Sequence, residues 1–166
     1  MTNNPISPAE RADKARALFC GGANCAQAVA AAFADLVGVD TETMLRISSS
    51  FGGGMGRMRE VCGACSGMFL IAGWLYGYSD LADDAVKKEH YALIQQMAAE
   101  FRAKHGTIIC RELMASLKPT DTPEPTKRTA EFYKVRPCVR FVETAAEILA
   151  NLVAHKEENR HENTGL

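Results

Sequence analysis

The sequence predicts an all-α protein, a compact multi-helix bundle around a central apolar helix that opens at Cys62. Three observations predict it. The stretch from Val61 to Ser79 carries no charge and is apolar on every side, as expected of a helix enclosed by other helices. In the flanking segments apolar residues recur at spacings of three and four, opened by cap signals or by proline. No alternation of apolar and polar residues runs long enough for a strand, and no internal repeat is present.

Taken in order, Ser7-Pro8-Ala9-Glu10 joins an N-cap serine to a proline and a glutamate inside the first turn, predicting a helix from about Pro8 to Phe19. Cys20-Gly21-Gly22 ends it. Asn24 caps the next helix, whose stripe of Cys25, Val29, Ala32 and Leu36 runs to a stop at Gly38. Thr41 and Glu42 open a shorter one through Met44, Leu45 and Ile47. Phe51-Gly52-Gly53-Gly54-Met55-Gly56 is a loop, because so many glycines make helix and strand costly. It is either a tight connection between packed helices or a backbone that approaches a ligand or wraps an anion, with Gly52, Gly53 and Gly54 as the candidate cofactor-binding positions.

Gly63-x-x-x-Gly67 and Gly73-x-x-x-Gly77 on the central helix let neighbouring backbones come close, within one chain or between two, so the pattern admits a homodimer. After it, Asp80 caps a long helix reaching about His105, with Gly106 as its stop and Val86, His90, Ile94, Met97 and Phe101 on one face. His90 on such a stripe reads as a hydrogen-bonded core residue before it reads as a ligand. Cys110 opens an amphipathic turn with Leu113, Met114 and Leu117. Pro119, Pro123 and Pro125 make residues 118–127 an exposed connection. Pro137 stands at the first position of the last helix, ahead of Cys138, Val142, Ala145, Leu149 and Leu152.

A chain of 166 residues with 47% hydrophobic content fits a single domain over 1–166, with a core from about 8 to 155 and a polar tail over 156–166 expected to fray, leaving His155 and His161 solvated. The net charge of −1, from 19 basic and 20 acidic residues, gives no field that favours nucleic acid or an anionic membrane. The apolar stretch reaches the length of a membrane span only by counting its glycines, and it lacks anchors at both ends, so no membrane partner is expected. Met1 to Glu10 shows neither an apolar h-region nor paired arginines, which points to a cytoplasmic protein. There thiols stay reduced, and six cysteines argue for metal binding or redox work over permanent disulfides.

Cys25, Cys62, Cys110 and Cys138 each fall in the predicted first turn of a separate helix. Such a position offers free N–H groups and partial positive charge, which favour thiolate or sulfide. Cys62-x-x-Cys65 is a candidate redox dithiol or half of a metal knuckle. Cys20, near a helix C-terminus, is the least suited to ligate.

Asn24-Cys25-Ala26-Gln27-Ala28, the glycine loop, Cys62-Gly63-Ala64-Cys65-Ser66-Gly67, Cys110 with Glu112-Leu113, and Cys138 together resemble the C_GCAxxG_C_C family of small redox-active proteins, marked by four cysteines and a CGAxxG signature. The resemblance spans about Ala9 to Leu152. It implies a helical domain whose four family cysteines are Cys25, Cys62, Cys110 and Cys138, associated in some relatives with haem domains and an iron–sulfur cluster. Cys65 and Cys20 are additions of this chain.

Three functions follow as expectations. The four family cysteines hold an iron–sulfur cluster for electron transfer or redox sensing. Alternatively, no metal is bound and the cysteines cycle between dithiol and disulfide, with Cys62 and Cys65 as the catalytic pair and a redox partner protein, small thiol or oxidant as counterpart. Zinc on four thiolates, making a structural or interaction module, ranks behind both because the second CxxC is missing.

Overall fold

A computed structural model of the chain describes residues 7–164. Residues 1–6, on which most of the reading of the N-terminus as leaderless rests, lie outside it, as do residues 165–166. Among the described residues the secondary structure is helical, apart from one isolated antiparallel bridge between Val61 and Ile109.

Helix α1 (Pro8–Cys20) starts as its sequence dictates, with Ser7 Oγ accepting from the Glu10 N–H at 3.3 Å. Asn24 and Gln27 form a reciprocal capping box that opens α2 (Cys25–Ala32). From Ala28 to Ala34 every residue is buried, so the alanine-rich α2 lies enveloped at the centre of the bundle. Instead of running on to Leu36, it breaks at Phe33, and a separate turn, α3 (Ala34–Val37), ends at the left-handed Gly38. The break has a donor waiting for it. Arg11 Nη1 donates to the carbonyl of Ala32 at 2.6 Å while the guanidinium lies 5.2 Å from the Phe33 ring centroid and pairs with Asp35.

Helix α4 (Thr41–Ser48) is capped by Asp40, which accepts from the Thr43 N–H at 2.9 Å. Helix α5 (Gly63–Tyr76) is the apolar helix foreseen, but only its first half is enclosed. Gly63 to Met68, Ile71 and Ala72 are buried, whereas Trp74 is 60% exposed. Its two glycine pairs also differ. A Cβ on Gly63 or Gly67 would stand 3.1 Å from the Ala26 nitrogen or 2.6 Å from the Ala26 oxygen, so α5 meets α2 backbone to backbone there. Gly73 faces open space, and Gly77 meets only the carbonyl of Gly73 in its own helix.

Helix α6 (Asp84–His105) begins later than expected, because Asp83 and not Asp80 caps it, accepting from the N–H groups of Ala85 and Val86. Asp80 instead closes a turn with the Ala82 N–H. At its far end His105 packs between Phe101 and Phe141, its Nε2 2.9 Å from Thr144 Oγ1. His90 stands edge-on to Tyr78 and has no hydrogen-bond partner for its buried Nδ1, so the bonded core histidine expected there is not what forms.

The short helices α7 (Cys110–Leu113) and α8 (Ala130–Val135) lead into α9 (Cys138–Thr164), which packs against α1, α2, α5 and α6. Pro137 precedes α9 and supplies its carbonyl to the Arg140 N–H. The polar tail expected to fray continues α9 as helix, with His155 and His161 exposed. No described helix is long and apolar enough to cross a membrane.

The glycines of α5 give a paired test. Gly67→Ala forces α2 and α5 apart and should cost about 1–3 kcal/mol in urea unfolding, the usual penalty of overpacking. Gly73→Ala, in open space on the same helix, should gain about 0.5–1 kcal/mol. Equal effects from the two would mean that the helices are not in backbone contact.

Candidate functional site

The site is assembled by three local devices. The first is the glycine contact between α2 and α5, which brings the start of each helix together, the Cβ position of Gly63 lying 3.2 Å from Cys25 Cβ. The second is a short antiparallel ladder. Cys62 donates its N–H to the Ile108 carbonyl at 2.7 Å, Cys110 to that of Glu60 at 2.6 Å, and Arg111 to that of Arg59 at 3.1 Å. Segment 59–62 thus holds Cys110 beside Cys62. The third is Pro137, whose fixed backbone starts α9 at Cys138.

Cys25, Cys110 and Cys138 are the first residues of α2, α7 and α9, and Cys62 is the N-cap of α5, one position earlier than expected. These four line one cavity of 310 Å³. Cys20 is exposed at the end of α1 and takes no part in it. Cys65 is fully buried on the core side of Cys62 and does not reach the cavity wall.

The glycine loop forms another wall. Gly53 and Gly54 are left-handed, at φ +65° and +70°, and a Cβ on Gly54 would stand 2.7 Å from Cys110 Cβ. One on Gly52 would run into the Asn24 side chain at 2.4 Å. The loop is therefore both a tight connection and a cavity wall. Most of its later N–H groups bond within the loop, those of Met55, Gly56, Arg57, Arg59 and Glu60 going to carbonyls between Ser50 and Gly54 or to Phe51.

Sequence reasoning passed over the guanidinium groups. Arg57, Arg59, Arg128 and Arg136 all line the cavity, and three of them grip the proline-rich connection that covers it. Arg57 donates to the Thr122 carbonyl at 2.7 Å and to the hydroxyls of Thr120 and Thr126. Arg59 Nε donates to the Thr120 carbonyl at 2.8 Å, and Arg136 to Thr126 Oγ1 at 3.3 Å. The connection is exposed, as expected, and is also a strap across the site. The signal available was the pair of arginines flanking Met58 directly after the glycines, which carries no motif of its own.

The thiols differ in acidity. A hydrogen bond from Cys25 and the positive charge of Arg136, Arg128 and Arg59 outweigh burial at Cys138 and bring it down to about 7. Cys25, as the donor of that pair, is held protonated, and burial and the other thiolates push the same way. A bond from Cys65 and the N–H groups of Ala64 and Cys65 lower Cys62, while Cys65 itself is driven far up by that bond and by its burial. Burial raises Cys110, opposed by Arg59, whose Nη1 lies 4.0 Å from the sulfur. Cys138 Sγ also lies 3.7 Å from Met114 Sδ.

Among the described residues no group of three or more histidine, cysteine or acidic side chains converges so as to hold a single metal ion. The sulfurs stand around a space instead. In this all-helical domain four helix starts thus bring four thiols to one arginine-walled cavity. The chain belongs to the family described as "Putative redox-active protein (C_GCAxxG_C_C)", whose model matches residues 23–152. No curated relative and no solved structure matches it.

The differences in burial set an order of modification. Under native, reducing, metal-free conditions a neutral alkylating reagent should label Cys20 first and Cys65 last, with the cavity cysteines between, as read by peptide mass mapping. Early labelling of Cys65 would place it on the cavity side.

Proposed function

We propose that Cys25, Cys62, Cys110 and Cys138 together ligate an iron–sulfur cluster, and that the protein carries single electrons or senses redox state. The observation that carries this reading is the enclosure of all four family cysteines around one 310 Å³ cavity. A single metal ion needs its thiolates at about 2.3 Å from one point, so they must converge. A cluster shares its thiolates among two or more irons, so its ligands surround a larger space. Four thiols lining one cavity suit that case better than a single zinc ion. The cluster would supply one-electron redox chemistry. The chain's own residues supply the rest: helix starts and guanidiniums that stabilise sulfur anions, aromatic walls from Phe19, Phe132 and Phe141, and a strap that limits water.

A second reading is favoured by the pairing of Cys25 and Cys138 on one cavity wall, where each thiol acts on the other's acidity. As the more acidic thiol facing the cavity, Cys138 would attack a disulfide of a small thiol or partner protein, forming a mixed disulfide and releasing one thiolate. Cys25 would then give up its proton to that thiolate and displace the second from Cys138, leaving a Cys25–Cys138 disulfide and a reduced partner. In this version the cavity pair takes the place of Cys62 and Cys65, since Cys65 is sealed in the core.

Anaerobic purification followed by a visible spectrum and an iron, sulfide and zinc assay on one sample decides between them. The cluster reading expects a brown protein with near-stoichiometric iron and sulfide, lost in Cys62→Ser and Cys138→Ser and retained in Cys20→Ser and Cys65→Ser. Equal loss in Cys20→Ser would sink the ligand assignment. A colourless, metal-free protein in which mild oxidant reversibly joins Cys25 to Cys138 supports the disulfide reading.

A further inference from the structure

Arg59 is kept in place against three separate costs. Its backbone is left-handed, at φ +63°, a conformation unfavourable for a residue with a side chain. Its side chain is buried, the residue being 5% exposed. No carboxylate pairs with it among the described residues, and its buried Nη2 has no hydrogen-bond partner. A buried cation left so is destabilising until something negative meets it. The ladder nevertheless pins it there, Arg111 bonding the Arg59 carbonyl through both its N–H and its Nε.

The neighbours add to the imbalance. Arg57 and Arg136 share the cavity, and their mutual repulsion with Arg59 is one reason, after burial, that Arg57 holds its proton less tightly; Glu124 offsets part of this from the strap. Arg128 and Arg136 are spread over the Phe132 ring at 4.5 and 4.8 Å, and among the described residues neither pairs with an acid. Cations gather this way where an anion is to be received.

We propose that the cavity binds a small free oxyanion or carboxylate against Arg59, flanked by Arg57, Arg128 and Arg136 and adjacent to Cys110. A guanidinium presents a planar fork that pairs bidentately with such groups, which an ammonium cannot do. The site therefore selects small acidic molecules from among those that reach the cysteines. This needs neither the cluster nor the disulfide to be correct. The competing source of negative charge is the sulfur site itself.

The test is calorimetric titration of the full chain, its iron and sulfide content measured beforehand, with sulfate, phosphate and acetate at an ionic strength held constant by chloride. One anion should bind saturably per chain. Arg59→Gln should weaken it about tenfold or more, the equivalent of one charged hydrogen bond. Arg59→Lys should recover only part, and Arg46→Gln, which removes an exposed charge on α4, should leave binding unchanged. If Arg59→Gln does not fold, Arg136→Gln takes its place with the same tenfold expectation. Absence of saturable binding for all three anions, or undiminished binding in the Arg59 or Arg136 variant, overturns the proposal. So does binding that disappears once iron and sulfide fill the site, which would make the sulfur centre the intended counter-charge.

Discussion

Where α5 crosses α2, two absent side chains fix the distance between the helices. Gly63 and Gly67 let the α5 backbone rest on Ala26, and any larger residue there would collide with main-chain atoms that cannot move without moving a whole helix. That contact sets the site as well as the core. Because both helices begin at this crossing, Cys25 and Cys62 are neighbours for the same reason that the helices are. The glycine loop then has to return along the same gap, which explains why Gly52 abuts Asn24 and Gly54 abuts Cys110 with no room for a Cβ.

Onto this frame the chain adds charge of one sign and sulfur that can take the other. The Cys25 thiol and three arginines favour thiolate at Cys138, and the Cys65 thiol with the N–H groups of the α5 start favours it at Cys62, while the partner thiols and burial hold Cys25 and Cys65, and burial holds Cys110, towards the neutral form. The result is an uneven set of five thiols in which position, more than residue type, decides chemistry. Cys62 and Cys65 show this most plainly, three residues apart and acting on each other's acidity, yet one faces the cavity and the other the core.

Much of the fold was legible because helix ends are written locally. Ser7, Asn24 and Gly38 act where their side chains or backbone freedom say they should. The misses arise where a decision is not local. Two acids stood ready to cap α6, and the sequence does not say whether Asp80 or Asp83 reaches the free N–H groups. The break at Phe33 depends on Arg11, a residue from another helix. The four family cysteines were visible as helix starts, but the arginine walls were not, since Arg57, Arg59, Arg128 and Arg136 share no spacing and meet only through the ladder and the strap.

The strap is gripped through both its main chain and its hydroxyls. Arg57 and Arg59 reach the carbonyl oxygens of Thr122 and Thr120, groups that every residue type provides, while two further bonds from Arg57 and one from Arg136 end on the hydroxyls of Thr120 and Thr126. The grip on the cover therefore depends on residue type at Thr120 and Thr126 and not at Thr122. Every one of these donors lies outside the segment it holds, so the walls of the cavity, and not the strap's own fold, decide where the cover sits.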